Sequence, residues 1–233
     1  MKLSHKIKKF ANIEGIVSLK RALWRKMHPL PVSRFMKEID PAELQRLKDV
    51  YGIPGEKTRW PKYVNAEPYL ELNIRQAQDL ELDQKPPMRI LDIGSGAGYF
   101  LFVARILGHS GMGMDLEEPK LYEETFRLFG LERTINRIDK FVPLPDTGKY
   151  DLITAFAIVF NNHSKDDCWG IEEWKYFLDD ATQYLNPGGR IFLNLNPHPT
   201  KGAYYYSEEL KNYLLSRGAV IDHGCNVFFP PKS

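Results

Sequence analysis

The chain has 233 residues, of which 43% are hydrophobic and 27% are charged. This length can bury a full core, and the composition is typical of a globular protein rather than a low-complexity one. No run of eighteen apolar residues occurs, and the N-terminus lacks the apolar core of a signal peptide, so neither a transmembrane span nor secretion is predicted. Two cysteines that form no C-x-x-C pair, Cys168 and Cys225, favour a cytoplasmic, reducing location.

The formal net charge of +2 conceals an uneven distribution. Eight basic residues and one acidic residue give residues 1–30 a charge of +7, which leaves about −5 for the rest of the chain. In this basic N-terminal arm, Ile7, Phe10, Ile13 and Val17 recur at helical spacing. Such a segment can make peripheral contact with an anionic membrane, touch a polyanion, or pack on its own domain or on a second subunit of a homo-oligomer. We favour packing, and the alternatives remain open.

Helices are predicted next. After a linker at 28–31, Pro41 to Tyr51 has the pattern of a short helix with Asp40 as its N-cap. A second helical pattern runs from Pro68 to Leu82, and two prolines end the region at Pro87. Residues 1–87 are therefore predicted to form an N-terminal helical extension, and residues 88–233 a separate domain.

A glycine-rich stretch begins that domain. The buried-strand pattern at 89–93 stops at Gly94, and Gly96 and Gly98 follow in a G-x-G-x-G arrangement before a helical segment at 99–107. Residues without a Cβ allow the backbone to approach a ligand closely. A second apolar strand ends at Asp115, about twenty residues past the glycines, where an acid can accept hydrogen bonds from both ribose hydroxyls.

Two ligand classes fit this pattern, nicotinamide dinucleotides and other adenosine cofactors. The third glycine comes one residue too early for the nicotinamide fingerprint, and Asp92 would repel a pyrophosphate but attract a cationic ligand. Here the sequence resembles the class I S-adenosylmethionine-dependent methyltransferases, whose first motif has the form E/D-x-G-x-G-x-G. Asp92, Gly94, Gly96 and Gly98 match that motif, and the ribose-binding acid of the family maps onto Asp115.

The rest of the chain continues this alternation of strands and helices. Helices are predicted at 117–129, 170–185 and 207–217, and strands at 134–138, 150–156, 190–195, 219–223 and 226–229. Tyr150-Asp-Leu-Ile and Leu185-Asn-Pro-Gly-Gly189 also resemble the family. The resemblance implies a Rossmann-like α/β fold with a seven-stranded, mostly parallel sheet whose last strand is antiparallel. Its ligand would bind at the carboxyl ends of the strands.

The resemblance also implies a set of ligand-binding residues. S-adenosylmethionine is the expected cofactor, and the residues expected to bind it are Asp92, Gly94, Ser95, Gly96, Gly98, Asp115, Leu116 and Asp139. Family members commonly carry helices ahead of the core that close over the cofactor. Trp60, Tyr63 and Tyr69 could form such a lid, with Tyr63 as a candidate substrate contact, although plain packing explains each of them as well.

The acceptor side is expected in the loops after the fourth and fifth strands. His163 is the candidate general base, because a neutral imidazole near pH 7 can take a proton from a hydroxyl. Asn161 and Asn162 could orient the acceptor. Asp166 and Asp167 are metal ligands by type, but a solvated turn explains them better, so no metal site is predicted.

Several functions are disfavoured or kept as alternatives. The chain lacks the Asn/Asp-Pro-Pro-Tyr/Phe motif of amino-methylating DNA enzymes and the Pro-Cys nucleophile of cytosine C5 enzymes. An acidic core also disfavours nucleic acid as a partner. A methyltransferase acting at oxygen on a small-molecule, glycan or lipid-linked acceptor is therefore the principal prediction. The alternatives are a non-catalytic binding protein of the same fold and an NAD-dependent oxidoreductase.

Overall fold

The computed structural model describes residues 13–52, 60–157, 169–196, 208–222 and 226–229. The helices in these ranges are α1 (Ile13–Met27), α2 (Val32–Met36), α3 (Pro41–Tyr51), α4 (Ala66–Asp79), α5 (Tyr99–Ile106), α6 (Lys120–Leu128), α7 (Ile171–Gln183) and α8 (Glu208–Ser216). The strands are β1 (Arg89–Ile93), β2 (Ser110–Asp115), β3 (Glu132–Ile135), β4 (Tyr150–Phe156), β5 (Leu185–Asn194), β6 (Val220–Asp222) and β7 (Asn226–Phe229). Two 3₁₀ turns, Trp60–Val64 and Leu82–Gln84, complete the set.

The seven strands form one sheet in the order β3-β2-β1-β4-β5-β7-β6. Strands β1 to β5 pair in parallel, whereas β7 is antiparallel to both β5 and β6. The predicted fold class is therefore confirmed. The chain moves outward from β1 through β2 to β3 and then returns to the other side of β1 as β4. Such a change of direction opens a crevice at the carboxyl ends of β1 and β4, where ligands bind in open α/β sheets.

Alternating residues of the strands supply two separate hydrophobic clusters. Ile90 and Leu152 face the cluster that contains α4 and α5. Leu91 and Ile153, their neighbours in sequence, face the cluster that contains α7 and α8. Because both faces are covered, the central strands are apolar at nearly every position, as the sequence pattern indicated.

The helices before β1 belong to the first of these clusters. Phe35 and Leu70 are fully buried with Phe102 of α5, so the N-terminal helices cover one face of the sheet. The predicted N-cap of α3 is confirmed, because Asp40 accepts the backbone N–H groups of Ala42 and Glu43. That carboxylate satisfies two donors that would otherwise have no helical partner.

Helix α1 belongs to the described part of the basic arm, residues 13–30, and one of its faces packs on the domain. Trp24 Nε1 donates to Asp83 at 2.8 Å, Arg25 pairs with Asp79, and the Arg21 guanidinium lies 5.1 Å from the Phe228 ring. None of the described helices is both long and apolar enough to cross a membrane.

Three of the differences between the predicted and the observed elements have a clear physical reason. Strand β3 is Glu132–Ile135 rather than 134–138, because its pairing with β2 ends where β2 ends, at Asp115 opposite Ile135. Strand β5 begins at Leu185, which pairs with Tyr150 across a register shift that no local pattern reveals. The five-residue helix α2 was not predicted, since it is too short for a periodic signal.

Candidate active site at the carboxyl ends of the strands

The glycine turn after β1 has the left-handed backbone that its sequence predicted. Gly94, Gly96 and Gly98 have φ values of 69°, 54° and 78°. L-residues with a Cβ rarely adopt this region, whereas glycine enters it without a steric cost. The Gly94 N–H donates to the Met114 carbonyl at 2.7 Å, which fastens the turn to the end of β2.

Asp115, the last residue of β2, also holds this turn. One carboxylate oxygen accepts the Gly96 N–H at 2.6 Å, and the other accepts the Leu116 N–H at 2.7 Å. Burial raises the pKa of Asp115, while the two backbone N–H groups and the nearby Arg133 oppose that shift. Each carboxylate oxygen has a further lone pair, so the side chain can brace the turn and still accept a hydrogen bond from a ligand.

Asp92 is the second acid of the site and is more deeply enclosed. Only 2% of its surface is exposed, and it lies in β1 directly opposite Thr154 of β4, whose hydroxyl donates to it at 2.7 Å. Burial raises the pKa of Asp92 to about 7, the Thr154 hydroxyl opposes the shift, and the nearby Asp115 adds to it. A carboxylate in this position is costly when ionised alone and would be stabilised by a cationic ligand.

Ser95 contributes a buried polar atom to the same turn. Its hydroxyl oxygen is enclosed and has no hydrogen-bond partner among the described residues. It lies over Gly113, where an added Cβ would come within 2.6 Å of that oxygen. Because buried hydroxyls in folded proteins are nearly always hydrogen-bonded, this one is available to a ligand at the turn.

Two tyrosines connect the N-terminal helices to the glycine turn. The Tyr122 ring of α6 is the nearest group to a Cβ placed on Gly96, with its Cζ and hydroxyl each 3.9 Å from that position. Tyr63 packs edge-on against Tyr122, with ring centroids 5.7 Å apart, and its carbonyl accepts the Tyr99 hydroxyl at 2.7 Å. Burial, with a smaller contribution from Tyr63, raises the pKa of Tyr122, so its hydroxyl stays protonated at neutral pH.

The other lid candidates differ from Tyr63. Tyr69 packs between Tyr63 and Tyr99, with centroid distances of 4.9 and 5.4 Å, which agrees with a packing role. The Trp60 side chain lies outside the described residues. Sequence reasoning did not identify Tyr122, because its contact with Gly96 joins two elements that share no local pattern.

The remaining cofactor candidates lie at the same edge of the sheet. Leu116 follows Asp115 and is 48% exposed. Asp139 is exposed, and its carboxylate accepts the N–H of the next residue, Lys140. Asn136 directly follows β3 and donates its N–H to the Asp115 carbonyl at 3.0 Å. The sequence placed β3 two to three residues too late and therefore missed Asn136 as a site residue.

The acceptor-side candidates follow β4, and most of them lie outside the described residues. These are His163, Asn161, Asn162, Asp166 and Asp167. The chain enters that segment through Ala157, whose φ of 52° is unusual for a residue with a Cβ. Its N–H donates to the Asn194 carbonyl, and its own carbonyl accepts the Asn196 amide. Within the described ranges, no three His, Cys, Asp or Glu side chains come together to hold a metal ion.

A doubly wound sheet with a glycine turn and two acids at its switch point defines a nucleotide-type cofactor site. The family model described as "Methyltransferase domain" matches residues 65–233. The chain belongs to this methyltransferase family. This membership supports a methyltransferase over the two alternatives, a non-catalytic binding protein of the same fold and an NAD-dependent oxidoreductase. S-adenosylmethionine is the cofactor of this methyltransferase.

Several solved structures are similar to this chain at low sequence identity. A TehB-like S-adenosylmethionine-dependent methyltransferase from Corynebacterium glutamicum is 16% identical, with a TM-score of 0.47, over 83% of this chain and 100% of that one. An O-methyltransferase family protein from Burkholderia thailandensis is 12% identical, with a TM-score of 0.46, over 96% and 73% of the two chains. Ribosomal protein L11 methylase from Lactobacillus delbrueckii subsp. bulgaricus is 16% identical, with a TM-score of 0.45, over 71% and 77%. Among curated proteins, none matches this chain.

The site residues fit this cofactor. A ligand that is both polar and cationic would suit the Gly96 backbone, which carries no Cβ, together with the enclosed Ser95 hydroxyl and the buried Asp92 carboxyl. The sulfonium of S-adenosylmethionine supplies an electrophilic methyl group. We expect Asp115 to hold the ribose, while Asp92 favours the positive charge through the electrostatics of its buried carboxylate.

The two glycines provide a matched test of the turn. Gly96→Ala and Gly98→Ala share the left-handed strain of about 1–2 kcal/mol. The Gly98 Cβ would also come within 2.7 Å of the Phe126 ring, at a further cost of about 1–3 kcal/mol, whereas the Gly96 Cβ would make only an ordinary van der Waals contact with the Tyr122 ring at 3.9 Å. Denaturant unfolding should therefore show the larger loss for Gly98→Ala, and calorimetry the larger relative loss of cofactor affinity for Gly96→Ala. Equal losses in both measurements for Gly96→Ala would make that glycine purely structural.

Substitution of Asp115 should affect both the ligand and the turn. Asp115→Ala should weaken cofactor binding by about 1.5–3 kcal/mol, the range of a charge-assisted hydrogen bond, and lower the free energy of unfolding by about 0.5–1.5 kcal/mol. Asp115→Asn retains one acceptor for the two backbone N–H groups and should fall between wild type and alanine in both measurements. Unchanged affinity in the alanine variant, measured by titration calorimetry, would remove Asp115 from the cofactor site.

Asp92 should make the stability of the ligand-free protein depend on pH. The folded pKa of Asp92, about 7, lies above its unfolded value of 3.8. Its contribution to the free energy of unfolding is therefore fully present below pH 3.8 and is lost as the pH rises through 7. Asp92→Asn does not titrate, and its unfolding free energy should fall less than that of wild type between pH 5 and pH 8, by on the order of a few kcal/mol. Parallel pH profiles for the two proteins would contradict the raised pKa.

Proton release on cofactor binding is a second test of the Asp92 carboxyl. A cationic ligand favours the ionised form of Asp92, so binding to wild type near pH 6.5 should release protons to the solvent. Calorimetric titrations in buffers of different ionisation enthalpy measure that release, and Asp92→Asn should reduce it. Equal release from both proteins would show that Asp92 does not respond to the cofactor.

Proposed function

We propose that this methyltransferase acts on a small-molecule, glycan or lipid-linked acceptor, and that the accepting atom is a hydroxyl oxygen. The observation that supports this most directly is the arrangement of β1 and β4. Ile93 of β1 pairs with Ala155 of β4, so the chain leaves β4 beside the glycine turn and enters the segment that contains His163. A general base must come within hydrogen-bond reach of the proton that it abstracts.

The roles follow from the chemistry of a hydroxyl acceptor. Its oxygen gains a bond to the methyl carbon and loses a proton, and the carbon–sulfur bond breaks. His163 would take that proton on its imidazole, while Asn161 and Asn162 would orient the acceptor by hydrogen bonds. Tyr63 would wall the acceptor side of the site, which agrees with its half-buried position against Tyr122.

Charge supports a small or uncharged acceptor over nucleic acid. Residues beyond the basic arm carry about −5 in sum, and a phosphate backbone would be repelled by that surface. The acceptor class can be identified directly. Purified protein should transfer a labelled methyl group from S-adenosylmethionine into metabolite, glycan or lipid extracts. Label found only in nucleic acid or protein would contradict this proposal.

His163 provides the mechanistic test. His163→Ala should leave cofactor affinity nearly intact and slow methyl transfer by about 10²–10⁴-fold, the usual contribution of a positioned base. The wild-type rate should rise with pH through the range of an imidazole, and that limb should be lost in the variant.

His198, which follows β5 in the sequence, is the matched control. His198→Ala should retain the rate and the pH dependence of the wild-type protein. If His198→Ala shows the loss and His163→Ala does not, the base belongs to the other loop. Full turnover by both variants would indicate an acceptor that needs no base.

A further inference from the structure

Helix α1 has two faces with different partners. Arg21, Trp24 and Arg25 point toward the domain and make the contacts described above. An exposed apolar stripe runs along the other side of the helix, formed by Leu19, Leu23 and Met27, with exposed fractions of 55%, 52% and 58%. Residues four apart lie nearly above one another on a helix, so the stripe is continuous and about 12 Å long.

Exposed basic residues border this stripe. Lys20 and Lys26 lie on its two flanks, rotated about 100° and about 20° from Leu19 in opposite directions by the helical period. From residue 15 to residue 37 the sequence has no acidic residue. The acids that contact α1, Asp79 and Asp83, lie against its docked face. The outward face of α1 is therefore both apolar and cationic.

We propose that this face of α1 binds an anionic lipid surface, with the three apolar side chains in the headgroup region and the lysines at the phosphates. An apolar stripe flanked by lysines is the pattern of an interfacial helix, and anionic lipids attract each basic residue near the surface. The docked face holds α1 against the domain. The helix therefore does not have to fold on the lipid surface before the stripe can contact it. The inference is independent of the acceptor.

A second copy of the chain fits this surface less well. A two-fold contact through the stripe would bring Lys20 and Lys26 of both copies together, with no acidic residue between positions 15 and 37 to compensate. Three side chains on one helix also form a much smaller patch than the roughly 800 Å² per partner of a stable dimer. A polyanion would attract the lysines but would offer no apolar surface to contact the stripe.

Vesicle binding of the full-length protein tests the proposal. The protein should sediment with vesicles of phosphatidylcholine containing phosphatidylglycerol and should not sediment with phosphatidylcholine alone. Leu23→Ser with Met27→Ser should weaken that binding by at least about tenfold, since two exposed apolar anchors are lost. Leu215→Ser is the matched control, because Leu215 is 45% exposed and its helix α8 packs on the other face of the sheet. Lys20→Glu with Lys26→Glu, or high salt, should also weaken binding.

Four results would overturn the proposal. These are no binding to anionic vesicles, equal binding by the stripe variant and wild type, equal losses in the stripe variant and the Leu215→Ser control, and a wild-type dimer that the stripe variant dissociates. If vesicle binding needs the lysines but not the apolar stripe, the stripe variant will bind as well as wild type. That result would indicate a general attraction to anions. Cofactor affinity and thermal unfolding, measured on each variant, should be unchanged, which separates this inference from any failure of the proposed chemistry.

Discussion

The site depends above all on the hydrogen bonds that fasten the glycine turn to the end of β2. Gly98 is held as the N-cap of α5, but Gly94 and Gly96 lie between the strand and the helix, and glycine loses more conformational freedom on ordering than any other residue. The Met114 carbonyl and the Asp115 carboxylate supply the missing partners for Gly94 and Gly96. The carboxyl ends of two neighbouring strands are thereby joined, and the turn is held by hydrogen bonds within the protein.

That arrangement places two acids close together in a poorly solvated region. Burial is the largest influence on the pKa of both Asp92 and Asp115, and each shift is upward. Asp115 is compensated by two backbone N–H groups, whereas Asp92 has one hydroxyl donor from Thr154. Asp92, the less compensated acid, is therefore stabilised most by a positively charged ligand. This favours a cationic cofactor at the site.

The sequence was sufficient for features whose cause is local. The apolar run of β1, the glycines after it and the Asp40 cap each follow from a few adjacent residues, and the structure contains all of them. Asn136 and Tyr122 were missed because their positions depend on strand register and on contacts between distant elements. The roles of His163, Asn161 and Asn162 stay predictions, since these residues lie outside the described part of the chain.

The two halves of the proposed chemistry have separate structural origins. The cofactor side is built from contacts among β1, β2 and α6, all within about thirty residues that include Asp92 and Tyr122. The acceptor side would draw on segments after β4 and β5 and on Tyr63 of the N-terminal part. The Tyr63 ring contacts Tyr122, and its carbonyl accepts the hydroxyl of Tyr99, which follows Gly98. Neither contact is one of the hydrogen bonds that fasten the turn to β2, so a substitution of the Tyr63 side chain can reshape the acceptor side while those hydrogen bonds remain intact. A change of acceptor therefore needs no change in the residues that hold the cofactor.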